Sequence, residues 1–412
     1  MVVPKLKSFS LYFFASIVTA VVGLSINPLM SIGLSHVDYA IIGYYSAFGS
    51  LLTPIVSFSL QSYYARNYYL LGSEARKSLF NNIVSVFSTM SIALFALFVL
   101  GYGIYHKIFV TSIPFLPYAI LSFSAMFISS YYNLYLLDLR MANKSKSYAA
   151  ITIANSLATA ILSILFVYVI HFGAMGRLVA ILFASVVFAL YGVIISNTRF
   201  QWDWNIIKPA LKFCMPITVS GILTFFFVGI DRPLLSELKD NYTMGLYNVG
   251  LQISAYLAIF GTVLLQTFDP DLYKYTSLHL HKKVFVLVLG ILLACSIPNL
   301  CFILFSKQII GLLTAGRYID ASTFANILCV KNITTTFAYI MSGVLIGYGY
   351  PKYEMINRII GSIVAFILYY ILILKYGFFG AAWGQSLSWL AMGIISCCAL
   401  MYLKRYVYGT KN

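Results

Sequence analysis

The chain has 412 residues, of which 61% are hydrophobic and only 9% charged, against about 25% charged in a soluble domain. So little polar surface excludes a water-facing globule. The formal net charge of +16 would point to nucleic acid in a soluble protein; here the basic residues sit mostly in short segments between apolar runs, so they report orientation and not a nucleic-acid partner.

Apolar stretches near twenty residues recur along the whole chain, each able to cross a hydrocarbon core of about 30 Å as a helix. In chain order they predict spans at 8–31, 39–65, 79–104, 111–137, 148–170, 175–196, 210–231, 245–268, 284–305, 321–348, 355–374 and 379–403. The runs are continuous, which argues against the alternation of a β-barrel. The first, from about Phe9, is as long as a span and leads into further spans, so it reads as a span and not a cleavable signal. The connections are too short to fold as domains. With the N-terminus inside, 19 Lys and Arg fall on the cytoplasmic side and 7 on the other, with Lys331 inside a span. That bias predicts both termini in the cytoplasm and an even number of spans. The six cysteines lie in apolar segments without metal or redox spacing and read as packing residues.

The two halves share a pattern. Asn27-Pro28-Leu29-Met30-Ser31, Asp38 and Gly43-Tyr44-Tyr45 are answered by Arg232-Pro233-Leu234-Leu235-Ser236, Asp240 and Gly245-Leu246-Tyr247. Leu60-Gln61 recurs as Leu265-Gln266, and Phe172-Gly173-Ala174 as Phe379-Gly380-Ala381. The offsets, taken at Pro28, Gly43, Gln61 and Gly173, are 205, 202, 205 and 207 residues. Each repeat holds six spans, so the copies enter from the same side. The expected division is 1–203 and 204–412, with a pathway between the halves, as in transporters built from parallel repeats.

An ionisable residue inside a span costs on the order of 2.5–3.5 kcal/mol on insertion scales, so it should face protein or water. Lys331 is the clearest case, with Thr334, Thr335 and Ser342 near its helical face and no carboxylate close to it in sequence. A distant acid or snorkelling to the interface is the competing reading. Asp231 and Arg232 close the seventh span, Arg66 ends the second and Arg177 opens the sixth, where interface anchoring explains each as well as a substrate role does. Asn27 ends a polar stripe with Ser16, Thr19 and Gly23 on the first span, and Gln61 ends one with Ser50, Thr53 and Ser57 on the second; both are open to a plain packing reading. Every acidic residue lies near a span's end, at Asp138, Asp231, Asp269 and Asp320 among others. A positive core without a mid-span carboxylate favours an anionic, phosphate-bearing substrate. Prolines in or near spans, at Pro28, Pro54, Pro114, Pro117 and Pro298, suit helices that bend. There is no Walker A loop, and no convincing nucleophile–base set.

Several segments carry a resemblance to a known family. They are Asp38-Tyr39-Ala40-Ile41-Ile42-Gly43-Tyr44-Tyr45 leading to Leu60-Gln61 and Arg66, Asp231-Arg232, Gly245-Leu246-Tyr247-Asn248, and Gly380-Ala381-Ala382-Trp383-Gly384. In these the chain resembles the Wzx-type flippases of O-antigen and other polysaccharide repeat units, within the multidrug/oligosaccharidyl-lipid/polysaccharide exporter superfamily. The resemblance implies an all-α polytopic membrane protein, two six-helix bundles as a V around a cationic cavity in the bacterial inner membrane. It implies flipping of undecaprenyl-pyrophosphate-linked oligosaccharide from the cytoplasmic to the periplasmic leaflet by alternating access, with membrane lipids and other polysaccharide-assembly proteins as partners. It implies no bound cofactor, with coupling to an ion or proton gradient. It lends the pyrophosphate-binding role to Arg66, Arg232 and Lys331, and Asn27, Gln61, Gln266, Arg177 and Asp231 complete the expected cavity lining. A drug/cation antiporter of the same superfamily and a polysaccharide polymerase are the alternatives.

Overall fold

The structure is a computed structural model that describes residues 2–108 and 113–408. The start of the expected fourth span, at 111–112, and Lys411 lie outside the described residues. Among the described residues every regular element is a helix. Eleven stretches of the described residues are long and apolar enough to cross a membrane. The last, Lys352–Leu403, has 52 residues, far more than the roughly 20 of one crossing. It breaks at Gly377, where φ is 56° and ψ −129°, a conformation that only glycine adopts without strain. The two limbs are the expected eleventh and twelfth spans.

The chain divides into two compact units, Met1–Ile222 with Leu313–Ala315, and Leu223–Leu312 with Gly316–Asn412. In the first unit the helices are α1 (Val2–Gly33), α2 (His36–Ala47), α3 (Gly49–Ser57), α4 (Leu60–Asn67), α5 (Ser73–Ile108), α6 (Tyr118–Met141), α7 (Ser145–Ser163), α8 (Gly173–Ile195) and α9 (Trp204–Leu223). The dividing point lies in the seventh span, beyond the loop at 203/204. Its physical basis is visible in the core: Ile207, Ala210 and Cys214 of α9 are buried with Leu60, Tyr64, Phe80 and Phe87.

The expected second span, 39–65, is not one continuous helix. Phe58 and Ser59 both take left-handed backbone, with φ of 43° and 49°, and separate α3 from α4. The carbonyl of Ser59 accepts a weak hydrogen bond from the Cys214 thiol at 3.3 Å. Cys214 therefore does more than pack. Of the other cysteines, Cys295 and Cys329 are buried, Cys397 is half-buried, and Cys301 and Cys398 are exposed on the apolar surface.

Buried polar side chains at the start of α5 grip the segment that joins α8 to α9. Asn81 Oδ1 accepts from the Arg199 amide at 3.3 Å, Ser85 Oγ from Gln201 at 2.9 Å, and Asn82 Oδ1 from Asp203 at 2.6 Å. The Lys77 ammonium donates to the Ser196 carbonyl. Each backbone amide here would otherwise stand unpaired against the bundle. Asn82→Ala removes the shortest of the three bonds to backbone amides, at an expected cost of about 1–3 kcal/mol. Limited trypsin digestion of the folded protein should then cut after Arg199 at least about tenfold faster than in wild type.

The second unit continues with α10 (Phe225–Val228), α11 (Asp231–Ser236), α12 (Asn241–Ser277), α13 (His281–Leu313), α14 (Ser322–Gly347) and α15 (Pro351–Tyr408). α14 packs between α12 and α15. Phe227, Ala338, Ala365, Trp389 and Met392 form one buried cluster there.

The repeated motif has a structural meaning in each unit. Asp38 sits in a capping box with Ser35 and opens α2, while Asp240 caps α12 by accepting from the Thr243 amide at 3.0 Å. Asp38 also accepts from the Ala174 amide at 2.8 Å, which ties the start of α2 to the start of α8. The glycine pairing needs correction. Gly173 (φ 55°) matches Gly377 (φ 56°) and not Gly380. Three residues later, a Cβ on Gly176 would lie 2.8 Å from the Phe166 carbonyl oxygen, and one on Gly380 would overlap that of Leu372. The offset becomes 204 residues, closer to the other three. The same device, a left-handed turn followed by a glycine pressed on the preceding backbone, opens the last span of each half.

Candidate functional site

The seventh span stops and restarts around Gly229, which closes α10 with φ −129°. The restart, α11, places Asp231 and Arg232 in its first turn. Both are inside the protein: Asp231 is 0% exposed and Arg232 5%. A carboxylate there must be hydrogen-bonded or paired, and it is. The Tyr247 hydroxyl, from α12, donates to Asp231 Oδ2 at 2.5 Å. Gln385, from the twelfth span, donates to the same oxygen at 2.9 Å and to the Tyr247 oxygen at 3.1 Å. Arg232 reaches Oδ1 only at 3.5 Å. Its better hydrogen bond goes to the Val228 carbonyl at 2.6 Å, and its Nε approaches Asn248 Oδ1 at 3.5 Å. Neutral donors hold the carboxylate, and the guanidinium is only loosely committed to it.

Lys331 stands on α14 within electrostatic range of both Arg232 and Asp231. It is half-buried, and among the described residues it forms neither a salt bridge nor a hydrogen bond through its ammonium. One acid and two bases leave the cluster with one net positive charge. Asn332, the next residue, is 2% exposed and donates to the Ser254 carbonyl at 2.9 Å and to Asn299 Oδ1 at 3.2 Å. A seam of buried amides thus stiffens α14 beside the charge. Thr335 Oγ1 and Ser342 Oγ, near the Lys331 face, are buried without a hydrogen-bond partner.

Three of the expected lining residues therefore come together: Lys331, Arg232 and Asp231. Lys331 has no acid near it in sequence; in space Asp231 lies within electrostatic range, without a salt bridge to it. Asp231 lies five residues from the end of the span Trp204–Ser236, yet it is wholly buried, because its neighbouring helices cover that end. Gln266 is on α12, and its side chain lies outside the described residues. In the first unit the expected residues are dispersed. Arg66 is exposed, with its guanidinium 4.6 Å from the centre of the Phe213 ring. Gln61 donates to the Ser130 carbonyl at 3.5 Å, Arg177 donates to Ser163 Oγ, and Asn27 is 5% exposed.

Sequence reasoning missed Gln385 and the role of Tyr247. The repeat offers a signal for Gln385, though none for Tyr247, whose counterpart Tyr45 is also a tyrosine. At offsets of 205 and 204 residues, the first-half counterparts of Asp231 and Gln385 are Ile26 and Ile181. At these two positions the second copy has polar side chains where the first has isoleucine, which the packing of one fold does not require.

The architecture defines a multi-pass membrane protein, helical throughout its described residues. The chain belongs to the polysaccharide biosynthesis protein family, whose model matches residues 34–323. It is similar to the lipid II flippase MurJ in an inward closed conformation, with a TM-score of 0.70 at 16% identity, covering 95% of this chain and 87% of that one. It is as similar to an inward-facing multidrug resistance MATE family transporter of the MOP superfamily, with a TM-score of 0.71 at 16% identity, covering 94% and 96%. These likenesses show that the chain shares the helical fold of those two proteins. In sequence it is 21% identical over 274 residues to an uncharacterized membrane protein of Methanocaldococcus jannaschii. That match takes in 60% of this chain and spans 63% of the relative's length.

Proposed function

We propose that this protein is a flippase that carries an undecaprenyl-pyrophosphate-linked oligosaccharide, an O-antigen or similar repeat unit, from the cytoplasmic to the periplasmic leaflet of a bacterial inner membrane, with both termini in the cytoplasm. The observation that carries the reading is the net positive cluster of Lys331, Arg232 and Asp231 in a chain of the polysaccharide biosynthesis family. A diphosphate is the anion that such a pair of bases suits, the lysine as a mobile point charge and the arginine as a fixed fork. The sugars follow the head group through the protein while the polyprenyl tail stays in the bilayer. The chain works by alternating access and without chemistry on its substrate. An ion or proton gradient supplies the energy. Deleting the gene should leave the lipid-linked repeat unit on the cytoplasmic leaflet, shielded from an impermeant periplasmic probe. Accumulation of unpolymerised repeat units on the periplasmic side would assign the chain to polymerisation instead.

The buried carboxylate of Asp231 supports a second reading, an antiporter of cationic drugs. Under that reading Asp231→Asn abolishes drug export, and deletion causes drug sensitivity with normal surface polysaccharide. Under the flippase reading deletion has the opposite pair of effects, and Asp231→Asn preserves the contacts from Tyr247 and Gln385 while raising the positive charge of the cluster.

A further inference from the structure

The second unit contains an apolar groove of about 440 Å³ that plays no part in the charged cluster. Its size is in the range of sites that hold a small molecule, about 300–1,000 Å³. Val284, Val288 and Leu292 line it from α13, Met341 and Val344 from α14, and Leu400 from the last span. On α13 the spacing is four residues and on α14 three, so one helical face of each turns to the groove. One end is polar. His281 lines it there and pairs through Nδ1 with the Tyr348 hydroxyl at 2.7 Å, and His279 stacks on the Tyr348 ring at 5.8 Å. Lys282 and Lys283 follow His281 and are exposed, with the Lys283 ammonium 5.7 Å from the centre of the Tyr275 ring.

We propose that this groove holds one acyl chain of an anionic phospholipid from the surrounding bilayer, with its phosphate at His281, Lys282 and Lys283. The inference needs only that the chain spans a membrane and is independent of the flippase reading. Three arguments carry it. Empty apolar space forfeits dispersion contacts on every wall, and hydrocarbon is the material at hand to fill it. From His281 to Leu292 the helix rises roughly 16 Å, about half of a 30 Å hydrocarbon core, which is the reach of a chain from one leaflet and far less than a polyprenyl tail. Basic residues at the water boundary each attract anionic lipid by about 1 kcal/mol; two exposed lysines directly follow His281 in the first turn of α13, and no lysine or arginine lines the groove itself.

Native mass spectrometry of the full-length protein, released from mild detergent after exposure to equal phosphatidylglycerol and phosphatidylcholine, tests this. The expected result is one retained lipid per chain, with phosphatidylglycerol favoured at least fivefold. Val288→Trp, which fills the groove, should reduce retention at least tenfold. Leu289→Trp at its more exposed lip serves the same purpose if the first variant fails to fold. Lys282→Gln with Lys283→Gln should abolish the head-group preference and leave a chain bound. Unchanged retention in a folded groove-filled variant overturns the proposal, as does equal retention of the two lipids by wild type. Displacement of phosphatidylglycerol by undecaprenyl phosphate at equal concentration also overturns it and assigns the groove to the carrier lipid.

Discussion

Replacing Lys331 by methionine is expected to reduce surface polysaccharide at least tenfold in a strain that depends on this protein, at unchanged protein level. The side chain keeps its length and loses its charge. Lys331 forms no ion pair with Asp231 or any other described residue, so its removal orphans no partner, and the fold should survive. What disappears is a charge-assisted contact to the diphosphate, worth about 1.5–3 kcal/mol, or roughly a tenfold to hundredfold loss at about 1.4 kcal/mol per decade. Lys331→Arg should retain more activity than the methionine variant, since it keeps the charge on a bulkier head. Polysaccharide at the wild-type level in the methionine variant, with protein at the wild-type level, removes Lys331 from transport.

The largest effect on stability is expected at Gly380. A Cβ there would overlap the Leu372 carbonyl oxygen, which belongs to the backbone and cannot rotate away. The turn at Gly377 and the whole twelfth span would have to shift, and overpacking of this kind costs typically 1–3 kcal/mol, more where backbone moves. In detergent-purified protein the melting midpoint of Gly380→Ala should fall by about 5–10 °C, at some 2–4 °C per kcal/mol. Gly290→Ala is the control. A Cβ at Gly290 meets nothing within 4 Å, and alanine is the better helix former by about 1 kcal/mol, so its midpoint should hold or rise. A Gly380→Ala protein as stable as wild type would contradict the packing described here and the repeat correspondence built on it.

The spans were legible because hydrocarbon thickness sets their length whatever they pack against. Their internal breaks were less so. Gly377 lies two residues after Lys375, between two apolar runs, so the division there follows from the charge and from spacing. The break at Phe58–Ser59 has no glycine or proline at the turn itself, only Pro54 one helical turn earlier, and tertiary contacts from Cys214 help to hold it. The repeat was readable from Pro28 and Pro233 onward, but the glycine register slipped by three residues because Phe-Gly-Ala occurs in both halves at positions that are not structural counterparts. Backbone φ and the contacts a Cβ would make distinguish them.

The charged site was half legible. Lys331 and Arg232 stand out in any apolar sequence, since a charge in a span has few explanations. Asp231 was visible too, but its burial depends on which helices cover the span's end, and that is a property of packing. Gln385 and Tyr247 carry no charge and have ordinary spacing, so their convergence on one carboxylate oxygen needed coordinates. Comparing the two repeats position by position, with Ile26 and Ile181 opposite Asp231 and Gln385, would have come closest to it.

The central claim is translocation of a diphosphate-linked lipid, and reconstitution measures it directly. Purified protein in sealed vesicles, with a fluorescent undecaprenyl-diphosphate oligosaccharide in the inner leaflet, should deliver that lipid to an external sugar-modifying enzyme faster than protein-free vesicles do, and Lys331→Met vesicles should fall most of the way back to the protein-free rate. Equal rates with and without wild-type protein, tested under an imposed proton or sodium gradient of either sign, would contradict the account.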